Sequence, residues 1–233
     1  MKVLKFGGTS VGNTDRINSV VEVIKSSFAN KETGVVVFSA FEGITDKLIK
    51  AGKIAAKGDE AYLSILKDIQ KRHLDTARTL LSIQKQSNQL AEIKIILRQL
   101  EEILHGIFLI KELSAKSLDF VMSFGERLSV YIISECLIDR GIKADFLDAR
   151  KIIKTDNNFG HARVNFSLTN KNILSTINDK SPIQIVTGFI SSSTDGETTT
   201  LGRGGSDFTA SIFGSALNVK EIEIWTDVDG VMT

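Results

Sequence analysis

An α/β fold built on a parallel sheet covered on both faces is the class this sequence predicts, on three observations. Short apolar runs alternate with stretches whose apolar residues recur every three or four positions. Glycines or small polar residues follow the apolar runs, and the alternation resumes at the end of the chain after one long helical interruption.

Taken in order, Val3 to Phe6 reads as a buried strand, followed by a helix in which Ile17, Val20, Val21, Ile24 and Phe28 recur behind an Asn13/Thr14 cap. Gly34-Val35-Val36-Val37-Phe38 is a second strand that runs into Ser39-Ala40-Phe41-Glu42-Gly43, and Ile44 to Ala56 reads as helix. From Asp59 to Glu112 the rhythm changes to two long helical patterns separated near Ser82 to Ser87, so a helical hairpin is inserted over residues 59–113. In its second half Leu90, Ile93, Leu97, Leu100, Leu104 and Ile107 step by three and four, the spacing of a packing seam. That seam serves either internal packing or a protein-binding arm. Ser123 to Arg140 reads as a further helix, Ala144 to Leu147 as a strand and Leu168 to Ile177 as a helix. The strands Ile183 to Thr187 and Glu221 to Trp225 then flank a polar loop and a helix, and Pro182 stands just before a strand, where its missing N–H costs little. The whole reads as one domain, residues 1–233, with the hairpin inside it.

Composition narrows the function classes. The 233 residues are 42% hydrophobic and 24% charged, an ordinary globular mixture. With 29 basic against 28 acidic residues the net charge is +1, so no field of one sign recruits nucleic acid or a membrane surface, and any anion site is local. No apolar run has the length of a membrane span, and glycines stand where a signal peptide needs its apolar stretch, which predicts a cytoplasmic protein. The single cysteine, Cys136, excludes an internal disulfide and reads as a buried thiol. His73, His105 and His161 lie far apart without ligand spacing, so a bound metal would have oxygen ligands.

In parallel α/β sheets ligands bind beyond the carboxyl ends of the strands. Four such ends are polar or glycine-rich: Lys5 to Ser10, Ser39 to Thr45, Thr187 to Ser193 and Thr226 to Gly230. Gly7 and Gly8 let backbone N–H groups approach phosphate oxygens, with Lys5 as a point charge, or they simply make a tight turn. Neither G-x-x-x-x-G-K-[ST] nor G-x-G-x-x-G occurs. TLGRGGSD, from Thr200, places Gly202, Arg203, Gly204 and Gly205 before a helix whose expected cap is Ser206, a pattern suited to an anion. Asp207 falls in the first turn of that helix, where a carboxylate is stabilised structurally and also stands beside the anion loop. Thr226-Asp227-Val228-Asp229-Gly230 suits a metal, a nucleotide or a bare turn, and Glu126 in Ser123-Phe124-Gly125-Glu126-Arg127 either caps the first turn of a helix, the reading the sequence favours, or faces a ligand amine. Together these residues suggest phosphoryl transfer, in which catalysis is mostly positioning and charge neutralisation.

Four colinear segments, KFGGTSVG, SFGERLS, TLGRGGSD and WTDVDGVMT, resemble the aspartate kinases of the amino-acid kinase superfamily, and the helical segment containing EEILHGI is similar to that of lysine-sensitive or homoserine-dehydrogenase-fused types. The resemblance implies an αβα sandwich and ATP- and Mg²⁺-dependent phosphorylation of the side-chain carboxylate of L-aspartate, the entry step to lysine, threonine and methionine. It implies that Lys5, Gly7 and Gly8 cradle the transferring phosphoryl group and that Asp207 organises that end of the site. Ser39, Thr45, Glu126, Arg203 and Ser206 would hold aspartate, with Arg203 on its α-carboxylate and Glu126 near its amine. Thr226, Asp227 and Met232 would meet the nucleotide, Met232 where some members have tyrosine. It further implies a homo-oligomer in the full-length protein and residues beyond Thr233 that complete the nucleotide site and sense end products. Two rivals stand beside it: another amino-acid kinase with a different acid substrate, and a non-catalytic fragment that associates through the hairpin.

Overall fold

The computed structural model describes residues 1–29, 33–177 and 182–226. Its centre is a five-stranded sheet in the order β3-β5-β2-β1-β8, comprising β1 (Lys2–Phe6), β2 (Gly34–Phe38), β3 (Ala144–Leu147), β5 (Ile183–Thr187) and β8 (Ile222–Trp225). All four pairings are parallel. β2 and β5 are buried at every position, as strands covered on both faces must be; β2 reads as an unbroken apolar run, whereas β5 buries Gln184 and Thr187 among its aliphatic residues.

The alternation along the strands divides the core in two. Leu4, Phe6, Val36 and Phe38 face a large cluster formed with α1 (Thr14–Ser27), α2 (Ile44–Ala55), α3 (Tyr62–Leu80), α4 (Ile83–Ile110) and α5 (Ala115–Asp139). Val3, Val35, Val37 and Val186 face the other way, onto α6 (Phe166–Thr176) and α7 (Gly205–Ala216). The architecture is therefore an αβα sandwich. Helices α3 and α4 form the hairpin and pack on α2 and α5. Ile93, Leu97, Leu100, Leu104 and Ile107 are buried in the larger cluster and Leu90 is partly buried against it, so the seam is internal and does not present a binding face.

Three departures from the sequence expectation bear on the site. Helix α5 begins at Ala115, because Ser114 caps it by accepting from the N–H of Ser117; Glu126 is accordingly mid-helix and caps nothing. Helix α7 is capped by Gly204 in the left-handed conformation, φ 73°, and Ser206 is already inside the helix. The supposed polar loop after β5 contains a hairpin, β6 (Ile190–Ser193) and β7 (Thr198–Thr200), which joins β4 (Lys154–Thr155) in a second, mixed sheet. Its serines and threonines are buried but satisfied: Ser191 and Thr155 hydroxyls meet that of Thr199 at 2.9 and 2.8 Å, and Ser192 donates to the carbonyl of Arg150 at 2.7 Å.

Candidate active site

Register places the carboxyl ends of the strands side by side, with Phe6 opposite Phe38 and Trp225, and Phe38 opposite Thr187. The chain segments leaving those ends enclose a cavity of about 290 Å³, lined by Lys5, Ser39, Thr45, Glu126, Phe189, Arg203, Ser206 and Asp207 with the glycines of the 202–205 loop. A larger depression of about 470 Å³ lies between the start of α1 and helices α2 and α3. Its charges largely satisfy one another: Lys47 pairs with Asp68 at 3.4 Å, Asp75 with Arg78 at 2.9 Å, and Arg72 donates to the carbonyl of Gly12. The smaller cavity has convergent, unsatisfied groups, and it is there that chemistry is possible.

Lys5 is the penultimate residue of β1, and its nearly buried ammonium lies 2.7 Å from Asp207 Oδ1 on the first turn of α7. The sheet and the helix start thus bring together a cation, a carboxylate and the positive end of a helix, a composite suited to phosphate oxygens. Ser39 donates its hydroxyl to that of Ser206 at 2.9 Å, joining the β2 end to α7. The two glycines after Lys5 do not line the cavity. Gly8 is small because a Cβ would stand 3.1 Å from the Ala40 carbonyl, whereas a Cβ on Gly7 would sit 3.6 Å from Lys5 Nζ, beside the cation.

Glu126 is strongly perturbed. Gly125 permits close approach, since a Cβ there would lie 2.8 Å from that of Ala40, and the Ala40 N–H then donates to Glu126 Oε1 at 3.2 Å. Its other oxygen, Oε2, is buried and has no partner, and burial pushes the carboxyl up to about 8. No cation among the described residues forms an ion pair with it. Across the cavity Arg203 is exposed and forms no ion pair with any described residue. A carboxyl lacking a cation and a guanidinium lacking a carboxylate therefore line one small cavity, complementary to the two ends of an α-amino acid.

Phe189, at φ 65°, is a lining residue that sequence reasoning did not select. Its strained backbone is fixed by its N–H donating to the Thr209 hydroxyl at 3.1 Å. No local pattern marks an isolated phenylalanine for such a conformation. Thr226 directly follows β8, whose last carbonyl, that of Trp225, accepts from Gly7 N–H at 3.4 Å. Asp227 and Met232 lie outside the described residues.

The amino acid kinase family model matches residues 1–233. The chain belongs to the amino acid kinase family. Within that family it is 36% identical, over 99% of its length, to aspartokinase 1, chloroplastic, of Arabidopsis thaliana, and covers 41% of that protein. It is 35% identical, over 98% of its length, to the bifunctional aspartokinase/homoserine dehydrogenase 2, chloroplastic, of the same plant, covering 25% of it. Among solved structures, Escherichia coli aspartokinase III in complex with aspartate and ADP superposes with a TM-score of 0.88 at 32% identity, over 99% of this chain and 50% of that one. The chain thus spans between a quarter and a half of the length of the relatives it matches. The family fold, an α/β sandwich on a parallel sheet, is the one observed here.

Proposed function

We propose that this chain carries the phosphoryl-transfer site of an aspartate kinase, which moves the ATP γ-phosphoryl group to the side-chain carboxylate of L-aspartate and gives 4-phospho-L-aspartate for lysine, threonine and methionine synthesis. The observation that carries this reading is that Glu126, with one buried oxygen unpartnered, and Arg203, neither in an ion pair with a described residue, line one cavity with Lys5. The likeness to a protein solved with aspartate and ADP supports it.

Arg203 grips the substrate α-carboxylate and Glu126 receives its ammonium, with Ser39, Thr45 and Ser206 as hydroxyl partners along the side. The side-chain carboxylate of the substrate then points toward Lys5 and Asp207, where the terminal phosphate lies. Lys5 neutralises charge that develops on the transferring oxygens, and Asp207 fixes the ammonium in place before the nucleotide arrives. The nucleotide enters past Gly7, Gly8 and Thr226. Mg²⁺ binds phosphate oxygens and water and needs only one or two protein carboxylates. Among the described residues no three His, Cys, Asp or Glu side chains form a cage, and the half-exposed Asp207 is the carboxylate placed to reach such an ion.

Trapping of the acyl phosphate with hydroxylamine tests the assignment. Full-length protein with ATP and Mg²⁺ should give hydroxamate mainly with aspartate and little with glutamate or acetylglutamate; equal signal with all three would favour an amino-acid kinase of different specificity.

A further inference from the structure

Asp119 is buried, 1% exposed, on the same face of α5 as Glu126, at positions i and i+7, yet it plays no part in the site described above. Its carboxylate forms no ion pair with a described residue. Oδ2 instead accepts from the N–H groups of Gly160 at 2.8 Å and Thr200 at 3.0 Å, and Oδ1 accepts the Thr200 hydroxyl at 2.8 Å. A buried carboxylate is costly unless its lone pairs are used; burial pushes this one up, while the three donors and, more weakly, the neighbouring His161 pull it down. The donors come from two chain segments, the loop ahead of α6 and the last residue of β7.

Both segments lead to Arg203. Thr200 precedes it by only Leu201 and Gly202, and Leu201 N–H is held by the carbonyl of Phe189 at 2.9 Å. The loop ahead of α6 is pinned to the same place: Ala162 N–H donates to the Thr200 carbonyl at 3.0 Å. Gly202, at φ 76°, lies so close to this loop that a Cβ would stand 2.5 Å from His161 Nδ1. One face of one helix therefore holds the base of the arginine loop and, two turns on, aims the unpartnered carboxyl of Glu126 into the cavity.

We propose that Asp119 is a positioning residue that fixes the separation of the Arg203 guanidinium from the Glu126 carboxyl, and so the selectivity of the cavity for an α-amino acid. This rests on the reading of the cavity as the aspartate site. Asp119→Asn preserves the arrangement, because the amide oxygen accepts from both N–H groups while the amide N–H₂ donates to a reversed Thr200 hydroxyl. Asp119→Ala leaves all three donors unpaired.

Calorimetric titration of the full-length protein with L-aspartate and, separately, with MgATP distinguishes the possibilities. In Asp119→Ala the affinity for aspartate should fall by roughly 10- to 100-fold, the scale of loss that follows a displacement of about 1 Å. MgATP affinity should stay within about twofold, and Asp119→Asn should restore aspartate binding to within about threefold. Combined with Arg203→Ala, Asp119→Ala should add nothing further, since both act through the same guanidinium. Equal weakening of both ligands, or additive losses in the double variant, would overturn the positioning role alone. Unchanged aspartate affinity in Arg203→Ala would overturn the reading of the cavity and this proposal with it. If Asp119→Ala does not fold, Thr200→Val removes only the hydroxyl and should show the same selective loss at smaller size; an equal effect on both ligands counts against the proposal.

Discussion

At the residue scale, the cavity contains a compensated ion pair, a guanidinium without a described counter-charge and a buried neutral carboxyl, and substitutions should separate them. Lys5 is already paired with Asp207 and acts where charge develops, so Lys5→Ala should lower kcat by about 10²-fold or more while aspartate KM changes less. Initial rates of hydroxamate formation at saturating and limiting aspartate measure both. Arg203→Lys keeps the charge but loses the fork, so aspartate KM should rise with ATP KM unmoved, and an unchanged aspartate KM would remove Arg203 from the substrate site. Glu126 requires proton bookkeeping: without ligand its carboxyl stays protonated up to about pH 8, whereas a bound ammonium needs it ionised. Aspartate binding below pH 8 should therefore release a proton, and aspartate KM should fall as pH rises toward 8. Binding enthalpies compared in two buffers of different ionisation enthalpy detect that proton, and identical enthalpies would contradict the assignment. The sequence pointed to Lys5, Glu126, Arg203 and Asp207 through their neighbours, but the state of Glu126 depends on a helix start it does not announce.

At the element scale, what was legible followed periodicity, and what was missed followed chemistry that periodicity does not register. Strands β1, β2 and β5 were readable because aliphatic and aromatic residues dominate each of them, in β2 on both faces. The β6–β7 hairpin was not, because Ser191, Ser192, Ser193, Thr198, Thr199 and Thr200 have the composition of a loop and become buried strands only when hydroxyls from distant segments pair with them. Likewise the start of α5 at the Ser114 cap does not stand out, because the residues that follow it, Ala115 to Asp119, mix small, charged and apolar types. The α4 seam was legible as a spacing, and its burial decides its meaning. Leu97 is 2% exposed, so Leu97→Lys should unfold the protein and not merely dissociate a complex. The milder Leu100→Ala should cost about 2 to 5 kcal/mol in urea denaturation, as for other fully buried leucines, and a cost near zero would return the hairpin to the role of a free arm.

At the scale of the whole molecule, the αβα frame packs two ionisable groups against the loop that follows β2. His73 of α3 stacks on Phe41 with ring centroids 5.2 Å apart, and Glu126 of α5 accepts from the neighbouring Ala40 N–H. Each is held neutral, but with opposite consequences for stability. Burial lowers His73 from 6.5 to about 4, so between those values the unfolded chain binds more protons there and stability rises with pH. Burial raises Glu126 from 4.5 to about 8, so over that window the folded chain binds more protons and stability falls as pH rises. Asp119, also raised by burial, acts in the Glu126 sense at the acid end. The two main contributions oppose each other between about pH 4.5 and 6.5, and only that of Glu126 continues from 6.5 to 8. Urea unfolding of the ligand-free protein across this range should therefore show a shallow profile up to pH 6.5 and a decline above it. The slope of that decline approaches about 1.4 kcal/mol per pH unit for one proton. Glu126→Gln should abolish the decline above 6.5 and uncover the rise that His73 imposes below it, giving a protein more stable near pH 8 than the parent but unable to hold aspartate. His73→Leu should do the converse and extend the decline down toward pH 4.5. If Glu126→Gln declines above pH 6.5 as steeply as the parent, its carboxyl is not the buried neutral group that the cavity requires, and the match to an amino-acid ammonium fails with it.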